Sequence, residues 1–163
     1  MLEATIAEAT VADAADVAMV RRLLVADARG IEPGELDADF CAANDAFIAA
    51  GLADGSYRAW LARDTSAEVV GGVALVLSAA PPLPGELRTT EGWVIATWVH
   101  DSHRSRGLGR ALMAELEAAA AQAGVRRLFL FATDDGRPLY ESMGFTARDD
   151  LFLKALDDAE PTP

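Results

Sequence analysis

Cysteine occurs once in the 163 residues, at Cys41, so no intramolecular disulfide can close. Histidine occurs only at His100 and His103, and no Cys/His cluster suited to a structural zinc exists, so no metal is expected. Lysine occurs once, at Lys154, and arginine supplies the rest of the 14 basic side chains. Together with the abundance of alanine, that bias suggests a GC-rich bacterial source. No apolar run reaches the roughly 18 to 20 residues of a membrane span. Met1-Leu2-Glu3-Ala4 lacks the basic flank and apolar block of a signal peptide, so a cytoplasmic location without a membrane partner is expected. Positive charge is also scarce: 14 basic against 26 acidic side chains give a net charge of -12. Such a chain repels a phosphate backbone, and its aromatic side chains are not interleaved with basic ones, so no nucleic-acid partner is expected.

Apolar bulk is what the sequence does have. Hydrophobic residues make up 52% of the chain, too many for a disordered protein and enough for one core. A single domain over residues 1–156 with a flexible tail at 157–163 is expected. Alternation around Ile6 predicts a strand at residues 4–8. Thr10 or Asp13 then offers an N-cap to a helix carrying Val17, Val20, Leu23 and Leu24, which Gly30 stops. A second helix through Leu36, Phe40, Phe47 and Ile48 is expected to run to Gly51. Strands follow at residues 57–62, 69–77 and 93–99, the last two separated by a proline-rich surface loop at 79–90. Leu108, Leu112 and Leu116 fall one helical turn apart and predict an amphipathic helix ending at Gly124. A strand at 128–132, a short helix from Pro138 to Met143 and a last strand at 151–156 complete the reading.

One segment breaks the acidic habit. Residues 1–60 hold 11 acids and 4 bases, whereas Arg104-Ser105-Arg106-Gly107-Leu108-Gly109-Arg110 carries three arginines, two glycines and no acid. It lies directly between a predicted strand and the amphipathic helix. Glycines let backbone N–H groups turn toward an anion, and the helix adds its unpaired N-terminal donors and positive dipole end. A phosphate or diphosphate is the expected ligand. There is no Gly-Lys-Ser/Thr for a P-loop, and a dinucleotide fingerprint would need glycine where Leu112 stands.

Arg104-x-x-Gly107-x-Gly109, after a strand ending Trp98-Val99-His100-Asp101, resembles the acetyl-CoA signature of the GNAT superfamily of N-acetyltransferases. Pro138-Leu139-Tyr140-Glu141-Ser142-Met143-Gly144-Phe145 resembles the C-terminal Tyr-x-x-x-Gly-Phe block of the same family. The order of elements matches that fold over most of the chain. The resemblance implies an α/β (α+β) fold: a mixed, mostly antiparallel central sheet with flanking helices. Its fourth and fifth strands, here residues 93–99 and 128–132, splay into a V-shaped cleft for acetyl-CoA as cosubstrate. In the family, backbone near Val99, His100 and Asp101 pairs with the pantetheine arm. The loop of Arg104, Ser105, Arg106, Gly107, Leu108, Gly109 and Arg110 wraps the diphosphate. Asp101 stands where many relatives have proline, and Ser105 where glycine is common.

For the chemistry, the resemblance matches Tyr140 to the family's acid for the leaving thiolate. A phenol with a pKa near ~10 is protonated at neutral pH and can donate to sulfur. The tyrosine ring can equally pack against the turn at Phe145, and the two roles are compatible. The glutamate that some relatives use as base falls at Trp93 in an ungapped comparison. Glu91, two residues away, could share its strand face and is the candidate base, beside a water chain or proton loss to solvent. Thr133, after the fifth strand, is carried over as a cofactor contact. Arg137 either meets a CoA phosphate or offsets Asp134 and Asp135. His100 and His103 are expected to be structural as side chains.

The implied partner is a small-molecule amine. Residues 29–40 and 79–92 should recognise it, and Glu32, Glu35, Asp37, Asp39, Glu86 and Glu91 would favour a cationic one. The resemblance leaves a homodimer open, because relatives often pair through sheet edges or C-terminal strands. The alternative function is a non-catalytic acyl-CoA-binding or regulatory module, which the missing strand glutamate favours and the retained Tyr140 argues against.

Overall fold

The computed structural model describes residues 4–149, which form two compact units divided after Leu130. The first unit holds β1 (Ala4–Glu8), α1 (Ala14–Arg29), α2 (Ala38–Asp54), β2 (Tyr57–Asp64), β3 (Val69–Ala79), β4 (Thr90–Val99), α3 (Leu108–Gln122) and β5 (Val125–Phe129). The second holds α4 (Arg137–Ser142). The five strands lie in sequence order. Every neighbouring pair is antiparallel except β4–β5, which is parallel because α3 carries the chain back between them. The mixed, mostly antiparallel sheet with flanking helices expected from the sequence is present. No helix among the described residues is long and apolar enough to cross a membrane.

Local chemistry explains most element ends. The Thr10 N–H donates to Asp13 Oδ2 at 2.8 Å, closing a short 3-10 turn that leads into α1. Asp37 Oδ1 accepts the Phe40 N–H at 2.9 Å and starts α2. Gly30, at φ 64, ends α1 in the left-handed conformation that glycine adopts without cost.

Several boundaries differ from the sequence reading. The second helix passes through Gly51 to Asp54, because Gly51 is where α2 meets β2: a Cβ there would lie 2.5 Å from Tyr57 Cβ. The last described strand is Val125–Phe129, not 128–132. Arg126 and Arg127 interrupt the apolar pattern at its start, yet it is Thr90 that pairs with Val125. The proline-rich segment is a continued hairpin: the Ala80 N–H donates to Thr89 O at 2.7 Å, and Leu83 and Glu86 exchange two backbone bonds of 2.8 Å. The short helix spans Arg137–Ser142, with Pro138 in its first turn. The expected strand at 151–156 and tail at 157–163 lie outside the described residues.

Helices cover both faces of the sheet. On one face Val17, Ala18 and Val20 of α1 and Ile48 of α2 pack with Tyr57, Ala59, Leu61, Ala74 and Trp98. On the other, α3 buries Leu108, Leu112, Met113 and Leu116. Each such side chain contributes about 1.5–3 kcal/mol when fully buried. Neighbouring glycines in β3 show the two-residue alternation directly: a Cβ on Gly71 would meet Leu112 and Leu108, and one on Gly72 would meet Val20.

Candidate active site

β4 carries an irregularity that sets the site. Its register against β3 runs from Gly72↔Trp98 to Ala74↔Ile95, so two residues of β3 are matched by three of β4. Ala96 takes up the extra length at φ 55, in the left-handed region. This is a β-bulge, and its consequence is a change of face. In an unbroken strand Ile95 and Trp98 would point to opposite sides; here both pack on the α1 side. The Trp98 indole N–H thereby reaches Asp27 Oδ2 of α1 at 2.9 Å.

β5 pairs along its own length, Val125–Phe129, with the first residues of β4. The last ladder position is Trp93↔Phe129, and β4 continues to Val99 without β5 beside it. At the far end the His100 N–H donates to Val70 O of the neighbouring strand at 2.9 Å. By antiparallel alternation the Val99 N–H points away from β3. Of the two backbone groups, Val99 faces the free side, and the His100 N–H is committed to the sheet.

The turn that follows is organised around side-chain caps. Ser102 Oγ lies 2.8 Å from His100 Nδ1 and 2.9 Å from His103 Nδ1. Both imidazoles thus serve the turn, as expected of structural histidines. Arg104 folds back along the surface: its Nε donates to Val99 O at 2.9 Å, Nη1 meets Asp101 Oδ1 at 2.8 Å and Nη2 meets Asp27 Oδ2 at 3.2 Å. The Arg104 guanidinium is thus tied to β4, the turn and α1.

What the loop offers an anion is mainly backbone. Ser105 has φ 60 and Gly107 φ 84, and left-handed residues at alternate positions turn N–H groups toward one side. A Cβ on Gly107 would meet nothing within 4 Å, so the glycine serves conformation and not packing. The first bond of α3 runs from the Ala111 N–H to Gly107 O at 3.0 Å, so Leu108, Gly109 and Arg110 contribute N–H groups without an intrahelical acceptor. Arg106 and Arg110 are exposed on the same turn. Convergent N–H donors, a helix dipole and two exposed arginines suit a diphosphate.

Glu91 has other work. Arg126 of β5 donates to its Oε1 from Nε at 2.8 Å and from Nη2 at 2.7 Å. The two side chains are 17% and 5% exposed. Arg126 also donates to Pro81 O at 2.7 Å and Arg88 O at 3.3 Å, pinning the β3–β4 hairpin. A carboxylate held this way is a structural partner, and the geometry gives no support to the expectation that it acts as a base. In the second unit, Tyr140 stands on α4 with its ring 5.9 Å from that of Phe145 in an edge-on contact. Thr133 accepts the Gly136 N–H on Oγ1 at 3.2 Å and the Arg137 N–H on its carbonyl at 2.9 Å, forming the entry to α4. Among the described residues no group of three or more His, Cys, Asp or Glu side chains is placed to hold a metal ion.

Sequence reasoning missed Asp27, Arg126 and the bulge at Ala96. Only Arg126 left a trace, as one of two charges, with Arg127, at the start of an apolar run.

Residues 17–145 match the profile of the acetyltransferase (GNAT) family. The chain belongs to that family. Among solved structures it is similar to a GCN5-related N-acetyltransferase from Ralstonia eutropha JMP134, with 30% identity over 94% of this chain and 99% of that one and a TM-score of 0.76. A predicted acetyltransferase with acetyl-CoA from Clostridium acetobutylicum shares the fold at a TM-score of 0.83, with 20% identity over 94% and 96% of the two chains. A ribosomal-protein-alanine N-acetyltransferase from Brucella melitensis biovar Abortus 2308 is 26% identical over 94% and 99%, with a TM-score of 0.63. No curated protein matches the sequence. Membership in the GNAT family makes the chain an acyltransferase of the acetyl-transferring kind.

Proposed function

We propose that the protein transfers the acetyl group of acetyl-CoA to a primary amine by direct attack in a ternary complex. The observation that carries this reading is the left-handed, donor-rich turn at residues 105–107. It opens α3 beside the end of β4, which runs on past the last β4–β5 ladder position. The acetyl-CoA in the Clostridium acetobutylicum relative supports the choice of donor.

Acetyl-CoA supplies an acyl group already activated as a thioester. The chain's part is to bind and orient it, through backbone N–H groups of residues 105–110 on the diphosphate and the Val99 N–H on the pantetheine arm. The neutral amine forms a C–N bond as the C–S bond breaks. The amine's proton leaves to water, since Glu91 is engaged with Arg126. The leaving sulfur takes a proton from the Tyr140 hydroxyl, an assignment that rests on the Tyr140-x-x-x-Gly144-Phe145 motif.

The acidic loops give a cationic acceptor less support than their composition suggested. Glu35 accepts the Glu32 N–H, Asp37 caps α2, Glu86 pairs with Arg88 and Glu91 with Arg126. These carboxylates hold their own loops and are not free to greet a substrate.

The test is free-thiol release from acetyl-CoA against a panel of primary amines, with buffer hydrolysis subtracted and products weighed by mass spectrometry. Amine-dependent release with an acetylated product is expected. Silence across the panel, with CoA still raising the melting temperature, would favour a non-catalytic acyl-CoA-binding module. Silence without such a rise would remove the loop assignment.

A further inference from the structure

Asp27 lies in the last turns of α1, far in sequence from the signature loop, yet one of its oxygens joins three elements. Oδ2 accepts the Trp98 indole N–H at 2.9 Å and faces Arg104 Nη2 at 3.2 Å. The same guanidinium holds the last carbonyl of β4, Val99 O, at 2.9 Å. We propose that Asp27 is a positioning residue for donor binding: it aligns the diphosphate loop with the end of β4 through Arg104 and Trp98. This rests on the reading of residues 104–110 as the CoA loop.

Three observations converge on that role. The bulge at Ala96 is what brings Trp98 to the α1 side, where its single polar atom needs an acceptor. Arg104, the first residue of the signature, is directed at α1, the turn and β4, so its contribution to the loop is geometric. The Asp27 and Arg104 side chains are 50% and 52% exposed, and an ion pair that open contributes little to global stability. A carboxylate near a diphosphate site also opposes the ligand's charge. Its placement there is useful if the order it imposes on the loop outweighs that repulsion.

The two effects have opposite signs, which makes the inference decidable. If Asp27 positions the loop, Asp27→Asn weakens CoA binding; if it only repels, the same substitution tightens it. Calorimetric titration with CoA at physiological salt should show about three- to tenfold weaker binding for Asp27→Asn, the range expected when one exposed charge-assisted contact is lost. Melting temperature should stay within about 4 °C, because an exposed pair contributes at most ~1 kcal/mol. Trp98→Phe, which keeps the ring and removes the donor, should weaken CoA in the same direction. Arg104→Ala and the double variant Asp27→Asn/Arg104→Ala should bind CoA alike, since the Asp27–Arg104 contact is absent from both and the asparagine oxygen can still accept the Trp98 N–H. With an accepted amine, Asp27→Asn should raise KM for acetyl-CoA and leave kcat within twofold.

Unchanged or tighter CoA binding by Asp27→Asn would overturn the proposal, as would additive losses in the double variant. Weaker binding accompanied by a large fall in melting temperature would also overturn it, making Asp27 a support of the fold. Failure of the unaltered protein to bind CoA would instead remove the loop assignment beneath it.

Discussion

Arg126 grips a single oxygen of Glu91, with Nε at 2.8 Å and Nη2 at 2.7 Å, where the parallel β4–β5 ladder begins. The ladder runs from this contact to Trp93↔Phe129, where β5 ends, so the pair sits at the start of the short β4–β5 ladder. Its Arg126 side chain is only 5% exposed. Arg126→Ala leaves a largely buried carboxylate without its partner, an arrangement that costs about 3–5 kcal/mol. Urea unfolding should show that loss, with Arg126→Lys falling between because an ammonium cannot reproduce the planar fork.

Tyr140→Phe keeps the ring that packs against Phe145 and removes only the hydroxyl. If that hydroxyl protonates the leaving sulfur, kcat with an accepted amine should fall by roughly 10²-fold or more. CoA affinity should remain nearly constant. A drop in affinity with unchanged kcat would assign the hydroxyl to binding.

Gly51→Ala sets two effects against each other. Alanine favours a helix interior over glycine by about 1 kcal/mol. The new methyl, however, would stand 2.5 Å from Tyr57 Cβ, an atom next to the backbone that cannot swing aside. Overpacking of this kind typically costs about 1–3 kcal/mol. Net destabilisation is expected, read as a lower urea midpoint; a stabilised variant would mean that α2 can move off β2.

Stability toward acid follows from local hydrogen bonds. Thr10 holds the Asp13 carboxyl below its ordinary 3.8, Ser56 does the same for Asp54, and Arg88 holds Glu86 down at about 2. A depressed carboxyl pKa adds stability that is present above the unfolded value and lost as pH falls through the folded one. The melting temperature should therefore decline between about pH 4 and pH 2. Glu117 has the opposite sign, because burial pushes its carboxyl above 4.5. Its ionisation opposes folding above the folded pKa, and that penalty disappears below the unfolded one. Glu117→Gln should raise the melting temperature at pH 7 and lose this advantage below about pH 4.5.

Legibility in the sequence tracked the range of the interactions involved. The turn at residues 104–110 was readable because its chemistry is local: glycine conformation and a helix start are written in consecutive residues. The α3 face was readable for the same reason, since Leu108, Leu112 and Leu116 repeat at the helical period. Gly51 misled as a helix stop, because the cause of its small size is Tyr57 of another element. The start of β5 was hidden by Arg126, whose charge is met by Glu91 and two hairpin carbonyls.

The sequence by itself determined the element types, through periodicity and short-range backbone preference, and it carried the two motifs whose family resemblance implied the mostly antiparallel sheet. Only the tertiary structure decided which side chains those motifs leave free. The register step at Ala96 turned Trp98 toward Asp27, and Asp27 in turn shares Arg104 with Val99. Strand register and cross-element ion pairs depend on where distant segments meet, and no local pattern encodes that meeting.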